Sequence, residues 1–263
     1  MLAELLERNG TNVKGVILVG GSGSRLDPLT RVTNKHLLPV YDKPMVFYPI
    51  QALVNAGITD IMLVTGGSNA GDFLRLLGNG SDFGLKRLHY TYQDRPAGIA
   101  HALGLTRDFA EGDSLLLMLG DNIIEGNLLA ARRNFEAQDR GARVMLTRVE
   151  NPSSYGVVEI EDGACDEVGH IKSITEKPAD PKSNLVQTGI YFYDEHVFDV
   201  VSSLRPSGRG ELEITDVNTH YLQEGNLEYD ILEGFWADCG ESFETYLESQ
   251  TLVATHGANK LNM

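Results

Sequence analysis

The stretch Gly20-Gly21-Ser22-Gly23-Ser24-Arg25-Leu26 contains the residue types that bind phosphate groups in proteins. It directly follows an apolar run over residues 15–19, which predicts a buried strand that ends in a flexible turn. Glycines let backbone N–H groups converge on an anion because no Cβ stands in the way. Arg25 adds a permanently charged guanidinium whose planar fork matches phosphate oxygens. The loop therefore predicts a phosphate-binding site, and the alternative is a tight turn that binds nothing.

Two familiar glycine loops do not fit this stretch. A dinucleotide fingerprint requires G-x-G-x-x-G, and Leu26 stands where its third glycine belongs. A Walker loop closes with Gly-Lys-Ser/Thr, whereas this loop closes with Gly23-Ser24-Arg25. The phosphate-binding prediction therefore rests on neither of these motifs.

Two acidic residues follow apolar runs in the same way. Asp121 comes after the run 115–119 and Gly120, and Asp238 comes after Phe235-Trp236-Ala237. Ligands of open parallel sheets lie beyond the carboxyl ends of the strands, and a carboxylate there can hold Mg²⁺. Two carboxylates that are distant in sequence can share one ion. The alternative for Asp121 is an N-cap for a following helix.

Composition narrows the class of partner. The chain has 263 residues and a formal net charge of −15, which argues against binding to nucleic acid or to an anionic membrane. Its two cysteines, Cys165 and Cys239, exclude a disulfide framework and are typical of a reducing cytoplasm. No signal sequence and no apolar run of roughly 20 residues is present, so a soluble cytoplasmic protein is expected. Four of the histidines do not have the spacing of metal ligands along the chain. They are His101, His170, His196 and His220.

The elements that must position these residues alternate along the first half. Apolar runs predict strands over 15–19, 61–64, 88–92, 115–119 and 144–146. Helical patterns separate them over 45–56, 72–77, 99–109 and 128–138. This alternation predicts an α/β fold with a Rossmann-like, mainly parallel or mixed sheet flanked by helices.

The regular alternation of predicted strands and helices ends at about residue 151. A turn is predicted at 161–163, a strand at 187–193, and helices near 195–204, 212–223 and 242–255. No linker divides the halves, so residues 14–263 are expected to form one domain, with halves over about 14–150 and about 151–255. Residues 1–13 are expected to be an N-terminal extension, either a short amphipathic helix or a frayed segment.

Several further motifs accompany the glycine loop in order along the chain. They are Lys35-His36-Leu37-Leu38-Pro39-Val40, Gln93 with Gly98 and Ala100, Leu119-Gly120-Asp121-Asn122, Tyr155-Gly156-Val157-Val158, Glu176-Lys177-Pro178, Thr188-Gly189 with Tyr191, residues 209–216, and Trp236-Ala237-Asp238. Together they resemble the sugar-1-phosphate nucleotidyltransferases, most closely the short form of the glucose-1-phosphate thymidylyltransferases. The resemblance covers nearly the whole chain.

The resemblance implies a fold of the nucleotide-diphospho-sugar transferase type and a Mg²⁺-dependent reaction. In this reaction, glucose-1-phosphate attacks the α-phosphorus of dTTP, which gives dTDP-glucose and pyrophosphate. The resemblance also implies that the half over about 14–150 binds the nucleotide and that the half over about 151–255 binds the sugar phosphate. UTP or another nucleotide on the same fold is the alternative, and a nucleotide-sugar-binding protein without turnover is an alternative of another class. A homo-oligomer, a dimer or a tetramer, is also expected.

The resemblance also assigns residues. It implies catalytic roles for Arg25, Lys35 and Lys177, and metal binding by Asp121 and Asp238. The implied nucleotide-binding residues are Gly20, Gly21, Ser22, Gly23, Ser24, Gln93, Gly98 and Asp121. The implied sugar-phosphate-binding residues are Asn122, Gly156, Glu176, Lys177, Tyr191 and Arg209.

Three residues depart from the pattern of the family. His36 stands where Gln is common, Gln187 stands where an apolar residue is common, and Cys239 stands where Thr or Ala is usual. The chain also ends soon after the predicted helix 242–255. The C-terminal extension that helps to build a regulatory nucleotide site in longer members is therefore not expected.

Overall fold

The computed structural model describes residues 12–161 and 169–261. Its main sheet has nine strands. They are β1 (Val13–Leu18), β4 (Asp60–Gly66), β5 (Arg87–Gln93), β6 (Ser114–Leu119), β8 (Ala142–Arg148), β9 (Gly156–Glu161), β10 (His170–Glu176), β11 (Leu185–Tyr193) and β12 (Leu227–Ile231). Most of the predicted N-terminal extension, the predicted turn after Glu161 and Cys165 lie outside the described residues.

One end of this sheet is parallel and the other is mixed. Strands β5, β4, β1 and β6 lie side by side in parallel. Strand β11 runs antiparallel to β6 on one edge and to β8 on the other, and β12 pairs in parallel with β8. The β9–β10 hairpin joins β11 through the pairing of Val157 with Val186. The sheet is therefore mixed and mainly parallel in its first half, as predicted.

Helices cover both faces of the sheet. They are α1 (Phe47–Asn55), α2 (Ala70–Leu77), α3 (Ile99–Gly104), α4 (Arg107–Ala110), α5 (Leu129–Ala137), α6 (Val197–Ser203), α7 (Ile214–Gln223) and α8 (Phe243–His256). Alternate residues of β1 divide between two apolar clusters, because successive side chains of a strand point to opposite faces. Val16 and Leu18 pack with α3, α6 and α7, whereas Val13 and Ile17 pack with α1, α2 and α5.

The predicted strands of the parallel half are all confirmed, with bounds shifted by one or two residues. The predicted helix 99–109 is wrong as one element, because the chain leaves the helix between α3 and α4. The buried Thr106 hydroxyl donates to the Leu103 carbonyl at 2.7 Å. Such a local side-chain bond competes with the helical ladder.

A smaller layer covers the carboxyl end of the sheet. Strands β7 (Asn122–Ile124) and β13 (Trp236–Asp238) form an antiparallel ribbon outside the main sheet. A second short ribbon is formed by β2 (Pro39–Val40) and β3 (Lys43–Pro44). Helix α8 packs beside both and buries a third apolar cluster that includes Leu26 and Ala237. Within the part of the chain that the structure describes, no helix has the length and apolarity needed to cross a membrane.

Helix α8 begins at a capping box. The Ser242 hydroxyl accepts a bond from the Thr245 backbone N–H at 3.1 Å, and the Ser242 N–H donates to the Thr245 hydroxyl at 3.0 Å. Two N–H groups that no helical carbonyl could reach are thereby satisfied. The cap holds the start of α8 beside the end of β13.

We expect Ser242→Ala to lower the free energy of unfolding by about 1 kcal/mol, because one capping acceptor is lost. Urea denaturation followed by circular dichroism measures this change. Glu248→Ala, at an exposed position on the same helix, is the matched control and should change stability by less than ~0.5 kcal/mol. Equal losses in the two variants would show that the cap contributes nothing specific.

Candidate active site

The glycine loop follows β1, and two of its residues have backbone angles in the left-handed region. Gly21 has φ 94° and Gly23 has φ 61°, conformations that favour glycine. The carbonyl of Gly23 accepts the Thr30 hydroxyl at 2.9 Å, and the fully buried Leu26 anchors the far end of the loop. The loop is therefore fixed at both ends while its backbone between them faces outward.

Asn34 connects this loop to the next functional segment. Its Nδ2 donates to the Val19 carbonyl at 3.1 Å, and its Oδ1 accepts the His36 backbone N–H at 2.9 Å. The bond to His36 caps the short turn Lys35–Leu37. His36 itself is buried, and burial, followed by the charge of Lys35, lowers its pKa to about 3. His36 is thus a neutral packing residue beside a charged one.

Lys35, Asp121 and Asp238 form the charged centre of the site. The Lys35 Nζ donates to Asp121 Oδ2. Asp121 lies in the turn between β6 and β7, and Asp238 is the last residue of β13. In the β7–β13 ribbon, Asp238 pairs with Asn122, and the Cys239 N–H donates to the Asp121 carbonyl at 2.9 Å. The ribbon, rather than two strands of the main sheet, brings the two carboxylates together.

The titration of these groups reflects burial and mutual repulsion. Burial and the charge of Asp121 raise the pKa of Asp238 to about 7. Burial alone would raise the pKa of Asp121, but the Lys35 ammonium outweighs it and holds that pKa well below its usual range. Burial would likewise lower the pKa of Lys35, but Asp121 reverses this and raises it. The Lys35 ammonium therefore interacts with two carboxylates. Such a group of charges attracts a further cation.

A first cavity, of ≈ 250 Å³, opens between the glycine loop and α3. Gly20, Gly21, Lys35 and Asp121 line it, and Leu18, Val64, Ile99, Ala102 and Leu119 supply apolar walls. Gly98 also lines it and lies so close to Leu212 that a Cβ would stand 2.7 Å from the Leu212 backbone N. Polar groups and apolar side chains therefore line one slot.

Gln93, at the end of β5, has a fixed orientation in this slot. Its Nε2 donates to the Gly98 carbonyl at 3.2 Å and lies 2.9 Å from His101 Nδ1. The carbonyl can only accept, and in its Nε2–H tautomer His101 also accepts at Nδ1. Both amide protons of Gln93 are then used inside the protein. Its Oε1 lies beside Gly20 and remains free to accept a bond.

A second cavity, of ≈ 200 Å³, lies on the other side of Asp121. The predicted residues that line it are Arg25, Asp121, Asn122, Gly156, Glu176, Lys177, Tyr191 and Asp238. Ile99, Leu119 and Asp121 line both cavities. Asp121 is the only ionisable residue of the described chain that the two cavities share.

Glu176 is held by a chain of hydrogen bonds that starts in the core. Tyr193 donates to Asn218 at 2.6 Å, and Asn218 Nδ2 donates to Gln187 Oε1. Gln187 Nε2 donates to the Thr215 hydroxyl at 3.4 Å, and that hydroxyl donates to Glu176 Oε2 at 2.5 Å. Every donor points toward Glu176, so its carboxylate is fixed at the cavity wall with its second oxygen free of this chain.

Two cations, Arg25 and Lys177, line the second cavity, and Arg209 lies nearby. Lys177 has φ 43°, a left-handed conformation that costs energy in a residue other than glycine. The half-exposed Arg25 pairs with Glu241 at 2.5 Å, and Arg209 pairs with Glu213 at 2.9 Å. Arg209 does not line the cavity but lies 3.5 Å from Glu176.

Some predicted residues take other positions. Ser22, Gly23 and Ser24 line neither cavity and lie on the outer part of the loop. Asn122 lines the second cavity, but its side chain bonds to the protein: Oδ1 accepts the Gly189 N–H and the Trp236 indole N–H at 2.8 and 2.7 Å. Tyr191 is both a core aromatic and a wall of the cavity.

One alternative from the sequence is wrong. Asp121 caps no helix, because strand β7 follows it directly.

Among the histidines, folding brings His196 and His220 together with Glu224. The two histidines belong to different helices. Their spacing along the chain is therefore not that of a metal site.

Sequence analysis also missed the residues that hold the site in place. His101 fixes Gln93, Asn34 couples the glycine loop to Lys35, and Thr215 with Asn218 fixes Glu176. Gln187 gave the one available signal, since it departs from the apolar residue that is common there. The partners are distant in sequence, and their side chains follow no recurring pattern.

Comparisons with known proteins establish the class of protein. The model of the nucleotidyl transferase family matches residues 14–255. The chain belongs to this family.

Two relatives of known name are similar to most of this chain. It is 44% identical over 246 residues to glucose-1-phosphate thymidylyltransferase of Neisseria meningitidis, a match that covers 92% of this chain and 83% of that protein. It is 46% identical over 246 residues to the enzyme of the same name from Mycolicibacterium smegmatis, with the same coverage.

A solved structure agrees. A Bacillus anthracis protein assigned as a glucose-1-phosphate thymidylyltransferase and crystallised with sucrose superposes with a TM-score of 0.87 at 42% identity, covering 95% of this chain and 98% of that one. A UDP-glucose pyrophosphorylase complexed with UDP-glucose gives a TM-score of 0.76 at 25% identity over 92% of this chain and 98% of that one. These superpositions confirm the predicted fold class.

We expect Lys35→Met, measured in EDTA, to lower the free energy of unfolding by about 3 kcal/mol, because it leaves a buried carboxylate without its partner. Adding Asp121→Asn should restore part of that loss. Urea denaturation of both single variants and the double variant measures the coupling. Lys43→Met, at an exposed lysine, is the control. Additive losses in the double variant would contradict a coupled pair.

Proposed function

We propose that this chain transfers a thymidylyl group from dTTP to glucose-1-phosphate, releasing pyrophosphate and forming dTDP-glucose. One observation supports this most strongly. Asp121 lines two cavities at once, the slot that contains Gln93 and the second cavity. Two anionic substrates in these cavities would meet at the Lys35–Asp121–Asp238 centre. Relatives that carry this activity by name share most of the chain.

The proposed chemistry needs positioning more than a nucleophile from the protein. A phosphate oxygen of the sugar phosphate attacks the α-phosphorus, the bond from α-phosphorus to the bridging oxygen breaks, and pyrophosphate leaves with the electron pair. The attacking group is already anionic, so catalysis reduces to holding two polyanions in line and neutralising the developing charge. Arg25 would bind the leaving phosphates together with the backbone of the loop 20–24, Lys35 the nucleotide phosphates, and Lys177 the sugar phosphate.

The residues at the centre fit Mg²⁺. Asp121 and Asp238 offer the oxygen ligands that this ion prefers, and both lie where one ammonium faces two carboxylates. When bound, the ion would neutralise charge on the phosphates. Lys35, which bonds Asp121 in the structure, would then be free to donate to a phosphate oxygen.

The base slot favours a pyrimidine with a protonated N3. Gln93 presents only an acceptor to the slot, since its amide protons are donated to Gly98 and His101. Thymine and uracil carry N3–H, whereas cytosine has an acceptor at that position. UTP is therefore the second candidate nucleotide, and the likeness to a UDP-glucose pyrophosphorylase favours keeping it.

The sugar pocket favours a polyhydroxylated ligand. Glu176 receives its Thr215 bond on Oε2 and can accept sugar hydroxyls with its remaining lone pairs. A Cβ on Gly156 would clash with Gln187 Nε2, so the glycine allows Gln187 to pack against this wall. Tyr191 lines the same cavity and would contact the sugar.

Two further expectations belong to this function. We expect the protein to act in the cytoplasm, in nucleotide-sugar and polysaccharide biosynthesis. A homo-oligomer, a dimer or a tetramer, agrees with exposed apolar side chains such as Tyr41, Phe243 and Leu247.

Chelation should abolish turnover, and Asp121→Asn or Asp238→Asn should each lower kcat at least ~10²-fold, the scale of losing one strong electrostatic contributor. Pyrophosphate release with Mg²⁺ restored after EDTA measures both effects. Asp42→Asn, at an exposed carboxylate, should retain normal turnover. Full activity in excess EDTA would contradict the role of the two carboxylates.

Lys177→Ala should raise KM for glucose-1-phosphate at least ~10-fold while leaving calorimetric dTTP binding nearly unchanged, because the lysine lies at the second cavity alone. Lys172→Ala, at an exposed lysine on β10, the strand that ends just before Lys177, is the matched control. A loss of dTTP affinity with an unchanged sugar-phosphate KM would reverse the assigned role.

dTTP and UTP should both be substrates, with CTP, ATP and GTP poor. A 5-methyl contact supplies only ~1–3 kcal/mol, so the preference for dTTP over UTP should not exceed about 200-fold. Competition among the five nucleotides, scored by the nucleotide sugar formed, measures this. Gln93→Ala should weaken both pyrimidines together. CTP turnover equal to that of UTP would contradict the acceptor assigned to Gln93.

A further inference from the structure

Two histidines and a glutamate meet on the helical face far from the two cavities. His196 stands at the start of α6, while His220 and Glu224 stand one turn apart at the end of α7. One potential ligand atom of each lies within 4.8 Å of the other two. Neither cavity wall includes these three residues, so the proposed transferase chemistry makes no use of them.

The spacing of the three ligand atoms approaches that of a coordination sphere. Glu224 Oε1 lies 3.2 Å from His220 Nε2 and 3.9 Å from His196 Nε2. Ligands of a tetrahedral Zn²⁺ ion, each about 2.0–2.1 Å from the metal, stand roughly 3.3 Å apart. Small side-chain rotations would therefore suffice, and all three side chains are only partly exposed.

The surrounding contacts hold His196 in place. Asp194 accepts both the His196 backbone N–H at 3.2 Å and the Tyr221 hydroxyl at 2.6 Å through Oδ1. The Tyr221 ring packs edge-on against the imidazole, with centroids 6.2 Å apart. A carboxylate oxygen of Asp199 lies 4.0 Å from His196 Nδ1. A small movement would let that nitrogen donate to Asp199, which leaves Nε2 as the ligand.

We propose that His196, His220 and Glu224 form a binding site for a divalent transition-metal ion, with Zn²⁺ the best match. Imidazole nitrogen with carboxylate oxygen is a donor set that suits Zn²⁺ and disfavours Mg²⁺ and Ca²⁺. Water would complete the sphere. Asp194, Asp199 and Glu224 are acidic neighbours that favour a cation. The basic neighbours are Arg140, in the same concavity, and Arg107, which pairs with Asp199 at 2.8 Å.

The ion would link two helices of one layer. α6 and α7 pack on the same face of the sheet, and α7 begins with Ile214 and Thr215, which line the second cavity. Zn²⁺ would therefore fix the C-terminal end of α7, whereas the N-terminal end of this helix lines the second cavity. Binding to the folded state alone raises the thermal midpoint.

The test is a calorimetric titration of EDTA-treated full-length protein with ZnCl₂ in excess Mg²⁺, which occupies carboxylate sites of the Mg²⁺ type. His196→Gln, His220→Gln and Glu224→Gln should each weaken Zn²⁺ binding at least ~10-fold, the low end of losses at metal sites. His170→Gln, at an exposed histidine on β10, is the matched control and should bind as the unaltered protein does. Zn²⁺ should raise Tm of the unaltered protein and of the control only.

Co²⁺ supplies an independent signature, because a tetrahedral site gives intense visible absorption bands. These bands should appear with the unaltered protein and disappear in His220→Gln. The proposal is overturned if the unaltered protein binds no Zn²⁺ in excess Mg²⁺, or if His220→Gln binds it undiminished. It is also overturned if His170→Gln loses affinity equally. None of these outcomes depends on whether the protein transfers nucleotides.

Discussion

The arrangement of the site depends on two carboxylates held together against their repulsion. Asp121 and Asp238 come from distant parts of the chain, and the β7–β13 ribbon fixes them next to each other. Lys35 satisfies Asp121, while burial and Asp121 raise the pKa of Asp238 to about 7. Such a cluster is costly in isolation, because buried like charges repel strongly. A cation bound between the carboxylates would relieve this repulsion.

The main sheet explains why those cavities lie where they do. The parallel strands β1, β4, β5 and β6 end at one edge, so the glycine loop, Gln93 and Asp121 meet there. The antiparallel strand β11 then extends the sheet and carries the wall of the second cavity. The first cavity thus lies at the parallel strands, and the second lies at the mixed end of the sheet. Asp121 stands at the boundary between them.

Local patterns made much of this architecture predictable. The strand and helix alternation, the glycine loop after β1 and the strand-end position of Asp121 all depend on neighbouring residues, so the sequence could reveal them. The sequence did not predict the break between α3 and α4, where the Thr106 hydroxyl bonds to a backbone carbonyl of the preceding helix. It also did not predict the fixed orientation of Gln93 or the chain of hydrogen bonds to Glu176. These two features depend on side chains that only folding brings together. The cluster of His196 with His220 was missed for the same reason.

The central claim is that the oxygens of the sugar phosphate attack the α-phosphorus of the nucleotide while both are bound at Asp121. The most direct test supplies glucose-1-phosphate whose phosphate oxygens are labelled with ¹⁸O, together with unlabelled dTTP and Mg²⁺, and weighs the products by mass spectrometry. The account predicts that all of the label appears in dTDP-glucose and none in pyrophosphate. Label in pyrophosphate, or no nucleotide sugar at all, would contradict it.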